Sequence, residues 1–474
     1  MNRAGAYSLD SCTLAIDIGT THIKSMLVDS EGRPLLNSLA SKFTPLITDP
    51  SGKSVMDPDA LLKRVANCVE ATLKSVSDVS YNVTSVGICS FWHSCMGLDG
   101  KGNIVFPIIT WGDTRAEAVA TRLKSELNAE EIHRRTGCPI HSSYYPARLI
   151  WLRETYPEAF HQVRKWLSPA DYLIYKLLGC CVTSHSMASA TGMYYQDGKR
   201  WDEEMVDICG ITTDSLPEIS DEPIRSKSKR MFQPASLQEL SEALWCPGIG
   251  DGAASNIGSG CVRQGEAAIN IGTSGAIRTV WQGENCPTPA ELWRYRLNGS
   301  TPLYGAAFSD GGAAILWAEK TLRLPKDINK RMIEGESVSK RGLIFAPYLS
   351  GERSPHWRSG VKGSIIGLTL HTTPEEIYRA ILEGVALQFK YAMDIIEESL
   401  VKMDRITISG GAVELRPHLA YLLAHILERP LNYPLNKEGT CHGAGIYAMH
   451  SIGAISSLND VIIDKGIIET DASA

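Results

Sequence analysis

The chain has 474 residues, 43% hydrophobic and 21% charged, which is the balance of a folded protein and excludes wholesale disorder. With 47 Lys+Arg against 53 Asp+Glu, the formal net charge is 47 − 53 = −6, so electrostatics gives no reason to expect nucleic acid or an anionic membrane as partner. No apolar run reaches the roughly 18 residues a bilayer span requires, and residues 1–10 hold one Arg and no apolar stretch of the kind a secretory leader carries. The 12 cysteines include no pair at CxxC spacing, which predicts reduced, mostly buried thiols in a cytoplasmic protein and no structural zinc.

Taken in chain order, residues 13–18 (TLAIDI) are β-branched and apolar and predict a strand, and residues 24–29 (KSMLVD) predict a second. Gly19, Thr20 and Thr21 lie between them and Glu31-Gly32 makes a further turn, so the chain opens as a meander of hairpins. A P-loop, GxxxxGK[ST] leading into a helix, is absent. Residues 57–76 have apolar positions at helical spacing, residues 83–89 predict a buried strand running into Phe91-Trp92-His93, and residues 116–127 predict a helix capped by Asp113 or Thr114. Residues 220–240 are charged and patternless, as a surface excursion would be, and Pro247-Gly248-Ile249-Gly250 follows as a hinge. The expected boundary near 245 divides the chain into domains 1–245 and 246–474. Farther on, Thr373, Pro374 and Glu376 form a capping box ahead of a helix whose buried stripe is Ile377, Ile381, Val385, Phe389 and Ile396.

The most informative feature is an internal echo. Ile16-Asp17-Ile18-Gly19-Thr20-Thr21 returns as Ile269-Asn270-Ile271-Gly272-Thr273-Ser274, an offset of 270 − 17 = 253 residues, which predicts two similarly built halves. A glycine followed by hydroxyl residues at a strand end offers backbone N–H and side-chain O–H donors to an anion. Two such turns suit a polyphosphate, with Lys24 adding charge at the first. Asp17, at the strand end, has the hard oxygen donors that suit Mg²⁺, whereas the second copy carries Asn270.

Asp251, flanked by glycines, reads either as a loop or cap residue or as a general base that takes a proton from an attacking hydroxyl. Ser409-Gly410-Gly411-Ala412 after an apolar strand would let a flat base or sugar lie on backbone, or simply close a turn. Trp92, His93, Trp111 and Asp113 offer aromatic faces and fixed charge suited to a polyol, or alternatively core packing and a helix cap. Gly443-Ala444-Gly445-Ile446-Tyr447-Ala448 matches GxGxxA but lacks a preceding strand and reads as close helix packing; His442 reads as a capping or packing residue.

Together, the ordered set Asp17-Ile18-Gly19-Thr20-Thr21, Trp111-Gly112-Asp113-Thr114-Arg115, Gly250-Asp251-Gly252, Gly272-Thr273-Ser274-Gly275, Gly311-Gly312, Gly351-Glu352-Arg353-Ser354-Pro355 and Gly410-Gly411 resembles the FGGY carbohydrate kinases over residues 13–455, and within them the gluconokinases. The resemblance implies an α/β chain with the two-domain actin/hexokinase/Hsp70-like ATPase fold and an interdomain cleft where ATP and sugar meet. It implies ATP and Mg²⁺ as cofactors, Asp251 as catalytic base, Asp17 as the metal-associated carboxylate and Gly19, Thr20, Thr21, Lys24, Gly272, Thr273, Gly312, Gly410 and Gly411 around the nucleotide. Trp92, His93, Trp111, Asp113 and Asp251 would then meet the substrate, a small sugar or sugar acid such as D-gluconate. A pentulose such as xylulose, another polyol, or a non-catalytic ATP-binding regulator are the alternatives, and a homodimer stays open. Arg148, Leu415, Arg416 and His425 depart from the family's usual residues and bear on the sugar and on the base contacts to adenine.

Overall fold

β-branched and apolar residues at Thr13, Ile16, Ile18, Ile23 and Val28 favour a pleated conformation, and Asp10–Ile18 and His22–Val28 accordingly form an antiparallel hairpin with Asp17 opposite Lys24. This hairpin lies in the first of two units of a computed structural model that describes residues 10–76, 81–226, 235–283, 286–334, 342–358 and 360–470. The first unit comprises Met1–Gly258, Tyr295–Thr301 and Glu438–Ile462; the second comprises Ser259–Arg294, Pro302–Lys437 and Ile463–Ala474. Residues 227–234, within the expected surface excursion, lie outside the described residues.

In the first unit the main sheet runs Ile224–Arg225, Leu244–Trp245, Tyr81–Ser90, Asp10–Ile18, His22–Val28, Ala40–Phe43. Ile249–Gly250 adds to the far end of Tyr81–Ser90, so the stretch expected as a hinge is partly strand. Tyr81–Ser90 is parallel to Asp10–Ile18, and the crossover between them contains the helix Pro58–Ser75, started by the Asp57 cap on Ala60 and by Pro at its first turn. Leu61, Val65, Cys68 and Val69 turn one face of that helix into the core with Leu14, Ile16 and Ile88. A five-stranded sheet, Ile47–Thr48, Ser54–Met56, Ile104–Ile109, Cys95–Leu98, Lys165–Leu167, supports a separate apolar cluster around Phe106, Ile150 and Trp166. The helix Gly439–Ser451 packs backbone-close through small residues, a Cβ on Gly443 falling 1.9 Å from the Ala254 carbonyl. His442 packs beside it, its Nε2 pairing with the Gly32 carbonyl at 2.6 Å.

The second unit repeats the plan. Its sheet runs Pro302–Phe308, Gly275–Val280, Glu266–Ile271, Arg405–Ser409, Leu431–Pro434, Lys465–Ile468, with Trp293 and Arg294 at the Pro302–Phe308 edge. Glu266–Ile271 pairs antiparallel with Gly275–Val280 and parallel with Arg405–Ser409, the same neighbours in kind that Asp10–Ile18 has. Pro374–Ser399 carries the expected capping box and buries Ile381, Val385, Phe389 and Ile396 against this sheet's core. None of the 12 cysteines forms a disulfide, and nine are buried.

Candidate functional site

Three parallel strand ends of the first unit bring the predicted carboxylates together. Asp17 pairs in register with Cys89, and Cys89 with Ile249, so Asp251 begins its helix, Asp251–Gly258, two strands away from Asp17. Ligands of open α/β sheets collect at such carboxyl ends. Burial, together with the charge of nearby Asp251, pushes the Asp17 carboxyl up to about 7, although the Cys89 thiol donates to its Oδ1 at 3.4 Å. Asp251 Oδ1 accepts from the Gly252 N–H at 2.8 Å, which fixes the side chain at the helix start.

The Gly19-Thr20-Thr21 turn closes the hairpin beside Asp17, with the Gly19 N–H donating to the His22 carbonyl at 3.1 Å and Thr21 exposed. Lys24 Nζ meets Glu438 Oε2 at 2.5 Å. Burial would lower the Lys24 pKa, but the bond and charge of Glu438 outweigh it and raise the pKa, so the ammonium stays charged beside Asp17. Sequence reasoning missed Glu438, which is 414 positions away and carries no local signal.

Trp92 and His93 follow the strand Tyr81–Ser90 after Phe91. The Trp92 indole N–H donates to the Ser186 carbonyl at 3.1 Å, and His93 Nδ1 pairs with the Ala190 carbonyl at 2.6 Å. Tyr295 packs edge-on against both rings, 5.2 Å from Trp92 and 5.5 Å from His93, and its hydroxyl bonds that of Tyr144 at 2.6 Å. Neither tyrosine stands in a motif that sequence alone would single out. The Trp92 ring lies on the strand end that leads to Asp251: a Cβ built on Gly250 would sit 1.8 Å from Trp92 Nε1, so only glycine fits there.

Asp113 is 2% exposed and braces its turn. Its Oδ2 accepts from the Ser54 N–H at 2.9 Å and from Arg115 Nη2 at 2.7 Å, while Arg115 itself lies 4.4 Å over Trp151. This is why the helix Glu117–Glu126 starts without a side-chain cap, contrary to the Asp113 or Thr114 cap expected: the Asp113 carboxylate is held by Arg115 and Ser54. Trp111, part-buried, is tied to the same corner through its N–H to Ser94 Oγ at 3.1 Å.

In the second unit the predicted glycines also converge. The Gly312 N–H donates to the Gly272 carbonyl at 2.8 Å, and those of Gly311 and Ala313 to Thr273 at 3.1 and 3.0 Å, which docks the start of the helix Gly312–Thr321 on the Gly-Thr turn. Because Glu266–Ile271 and Arg405–Ser409 are adjacent and parallel, Gly410 and Gly411 leave the sheet beside that turn. Gly410 has φ 107 and a Cβ there would fall 2.5 Å from the Ile271 carbonyl, whereas a Cβ on Gly411 would meet no protein atom within 4 Å. Thr273 and Gly411 are exposed, a backbone shelf open to a flat or anionic group. Arg416 is bonded bidentately to Glu319, at 2.6 and 2.5 Å.

Asp17 and Asp251 have the hard oxygen donors a divalent cation needs, and burial with the neighbouring Asp251 charge holds the Asp17 carboxyl raised. Among the described residues no group of three or more His, Cys, Asp or Glu side chains is arranged to hold a metal. Mg²⁺ is compatible with that, since it keeps waters and substrate phosphates in its shell and takes one or two carboxylates from protein.

Repeated sheets of this plan, each with a Gly-Thr turn at the carboxyl end of its hairpin strand, give the two-domain actin- and hexokinase-like fold, and comparison with known proteins identifies the kinase family. The N-terminal domain of the FGGY family of carbohydrate kinases matches residues 12–229 and the C-terminal domain of that family matches residues 267–452. A gluconokinase of Bacillus subtilis (strain 168) is 30% identical over 472 residues, covering 96% of this chain and 90% of that protein. Among solved structures, gluconate kinase from Lactobacillus acidophilus superposes with a TM-score of 0.88 at 27% identity, covering 98% of this chain and 94% of the other. A ligand-bound xylulose kinase from the same species gives 0.88 at 27%, covering 97% and 94%. The chain belongs to the FGGY family of carbohydrate kinases and is an ATP-dependent sugar kinase. Among the described residues no helix is long and apolar enough to cross a membrane.

Proposed function

We propose that this kinase phosphorylates a primary hydroxyl of a sugar acid, D-gluconate to 6-phosphogluconate, with Asp251 as general base. The observation that carries the chemistry is Asp251 following a strand end two strands from that of Asp17, close enough to raise its carboxyl, with the Trp92 ring packed against the preceding Gly250. Asp251 takes the proton of the attacking hydroxyl; the new O–P bond forms to the γ-phosphorus of ATP as the bond from that phosphorus to the bridging oxygen breaks, and ADP leaves. Gly19, Thr20 and Thr21 and, in the second unit, Gly272, Thr273, Gly312, Gly410 and Gly411 serve as backbone and hydroxyl donors to the nucleotide. Asp17 associates with Mg²⁺, which when bound supplies positive charge to the phosphate oxygens. Lys24, held by Glu438, keeps a positive charge near the same place. Trp92 and His93 present ring faces to the sugar, and Asp113 holds the corner on which Trp111 stands.

Gluconate as substrate draws support from the gluconokinase and gluconate kinase likenesses. The equal likeness to xylulose kinase favours a pentulose as second reading. ADP release measured over sugar acids, ketoses and polyols separates them: turnover of xylulose with none of gluconate sinks the first. Asp251→Asn is expected to lower kcat at least about 100-fold, the lower range of general-base contributions, while ATP still binds. Near-normal turnover by that variant would remove Asp251 from the base role.

A further inference from the structure

The Trp92 and His93 rings take their orientation from two short backbone segments. The first is the helix His185–Ser189 with the residue after it: the Ser186 carbonyl accepts from the Trp92 indole at 3.1 Å, and the Ala190 carbonyl pairs with His93 Nδ1 at 2.6 Å. The second is Tyr295–Thr301, a piece of the first unit whose sequence neighbours on both sides belong to the second. Its Tyr295 ring packs edge-on against both Trp92 and His93. Arg296 pins the start of this segment, donating its backbone N–H to Ser189 Oγ at 2.9 Å and Nη2 to the Gln196 carbonyl at 3.2 Å.

The tip of the segment is held from elsewhere. Asp221, half-buried at the start of the charged excursion, gives one carboxylate oxygen to each segment: Oδ1 accepts from the His185 N–H at 3.0 Å and Oδ2 from the Gly299 N–H at 2.7 Å. Hydrogen bonds to a charged acceptor are roughly twice as strong as neutral ones, so this one side chain is a firm join. The approach is close enough to require glycine. A Cβ on Gly299 would fall 2.9 Å from His185 Cδ2, and that ring is fixed by its Nδ1 bond to the Tyr194 hydroxyl at 2.7 Å.

We propose that Asp221 is a positioning residue for sugar recognition, fixing the Trp92 and His93 rings against Tyr295 by clasping the two segments that carry their partners. This rests on the reading of Trp92 and His93 as sugar-facing. Asp221 does not touch the sugar. Without it the His185–Ser189 helix and the Tyr295 loop move independently, and the rings lose the common orientation that one hydrogen-bonded corner imposes.

Steady-state kinetics of the intact protein with Asp221→Ala, Gly299→Ala and Trp92→Ala, on the best sugar of the panel and on ATP, test this. Asp221→Ala is expected to raise KM for the sugar about 10- to 100-fold, up to the loss that a displacement of about 1 Å causes in a positioned site. KM for ATP and kcat should stay within about 3-fold of wild type, the split that marks lost substrate binding. Gly299→Ala, which keeps the carboxylate and forces the tip off His185, should raise the same KM. Combined with Trp92→Ala, Asp221→Ala is expected to add at least about 3-fold less than it does alone, the coupling shown by residues that act through one another. A folded Asp221→Ala with wild-type sugar KM overturns the proposal. So does an equal rise in both KM values, or a loss that simply multiplies with that of Trp92→Ala, since a general loosening of the fold gives those patterns. If Asp221→Ala does not fold, Gly299→Ala decides, and an unchanged sugar KM there overturns the clasp. Trp92→Ala alone separates the two readings. If it leaves KM for every sugar unchanged, the placement of the sugar on Trp92 has failed and the clasp falls with it; if it raises KM while Asp221→Ala does not, only the role of Asp221 has failed.

Discussion

Gly250→Ala probes the join between the base and the aromatic pocket. The added Cβ would lie 1.8 Å from both Trp92 Nε1 and Cε2, and ordinary contact begins at 3.4 Å, so ring or strand must shift by at least 3.4 − 1.8 = 1.6 Å. The strand is the stiffer partner, since Gly250 is paired with Ser90 and its N–H donates to Ser186 Oγ at 3.1 Å. The ring therefore moves, and gives up its bond to the Ser186 carbonyl and its edge contact with Tyr295. Those losses come to about 1 kcal/mol for the hydrogen bond and about 1 kcal/mol for the ring pair, beside about 1–3 kcal/mol of overpacking. Displacements of about 1 Å in a positioned site cost on the order of 100-fold in rate. We expect kcat/KM for the sugar to fall by about that factor, with KM raised, while ATP affinity measured by calorimetry is unchanged, because neither Trp92 nor its partners Ser186 and Tyr295 are among the proposed nucleotide donors. A folded variant with wild-type kcat/KM would refute the coupling of Trp92 to the strand that bears Asp251.

Two stability predictions follow from buried and capping groups. Thr373→Ala removes the acceptor for the Glu376 N–H while the Glu376 carboxylate still accepts from the backbone N–H of residue 373, so thermal unfolding should show a loss of about 1 kcal/mol with unchanged kinetics; an unaltered midpoint would mean the Thr373 cap contributes nothing. Burial raises the Asp171 carboxyl from 3.8 to about 6 despite its bonds with Ser168. Its native pKa exceeds the unfolded one, so its stabilising contribution is full below 3.8 and is lost as pH rises through about 6. Asp171→Asn should abolish that slope, gaining on the wild type by roughly 3 kcal/mol between pH 4 and 7 in denaturant titrations, and parallel pH profiles for the two proteins would contradict it.

What could be read from sequence was local. The hairpins follow from β-branched runs bounded by Gly-Thr turns, and the start of Pro374–Ser399 follows from Thr373, Pro374 and Glu376, all within four positions. Arg115 and Ser54 claim the Asp113 carboxylate, Glu438 reaches Lys24, and Tyr295 comes from a short segment far along the chain to face Trp92. Such pairings depend on where the fold returns the chain, and a single sequence has no period or spacing that encodes them. Arg148 illustrates the same limit: an arginine is ordinarily a surface residue, and nothing in residues 144–151 announces that its guanidinium will be enclosed against the His93 carbonyl.

The echo between the two halves was legible because turn chemistry is local, and its one informative difference gains a physical meaning from the sheets. Asp17 and Asn270 occupy corresponding places, each on the hairpin strand that is flanked by a parallel neighbour. Across that neighbour Asn270 finds Ser409, and its amide donates to the hydroxyl at 3.1 Å, so an uncharged residue is satisfied without any ligand. Asp17 finds Cys89, whose thiol is a weak donor at 3.4 Å, and has Asp251 close enough to raise its carboxyl further. The fold thus leaves negative charge poorly compensated at one copy and none at the other. A device built only to close hairpins would have no use for that asymmetry; a phosphoryl-transfer site, with one cation to hold and one hydroxyl to deprotonate, needs its carboxylates on the same side.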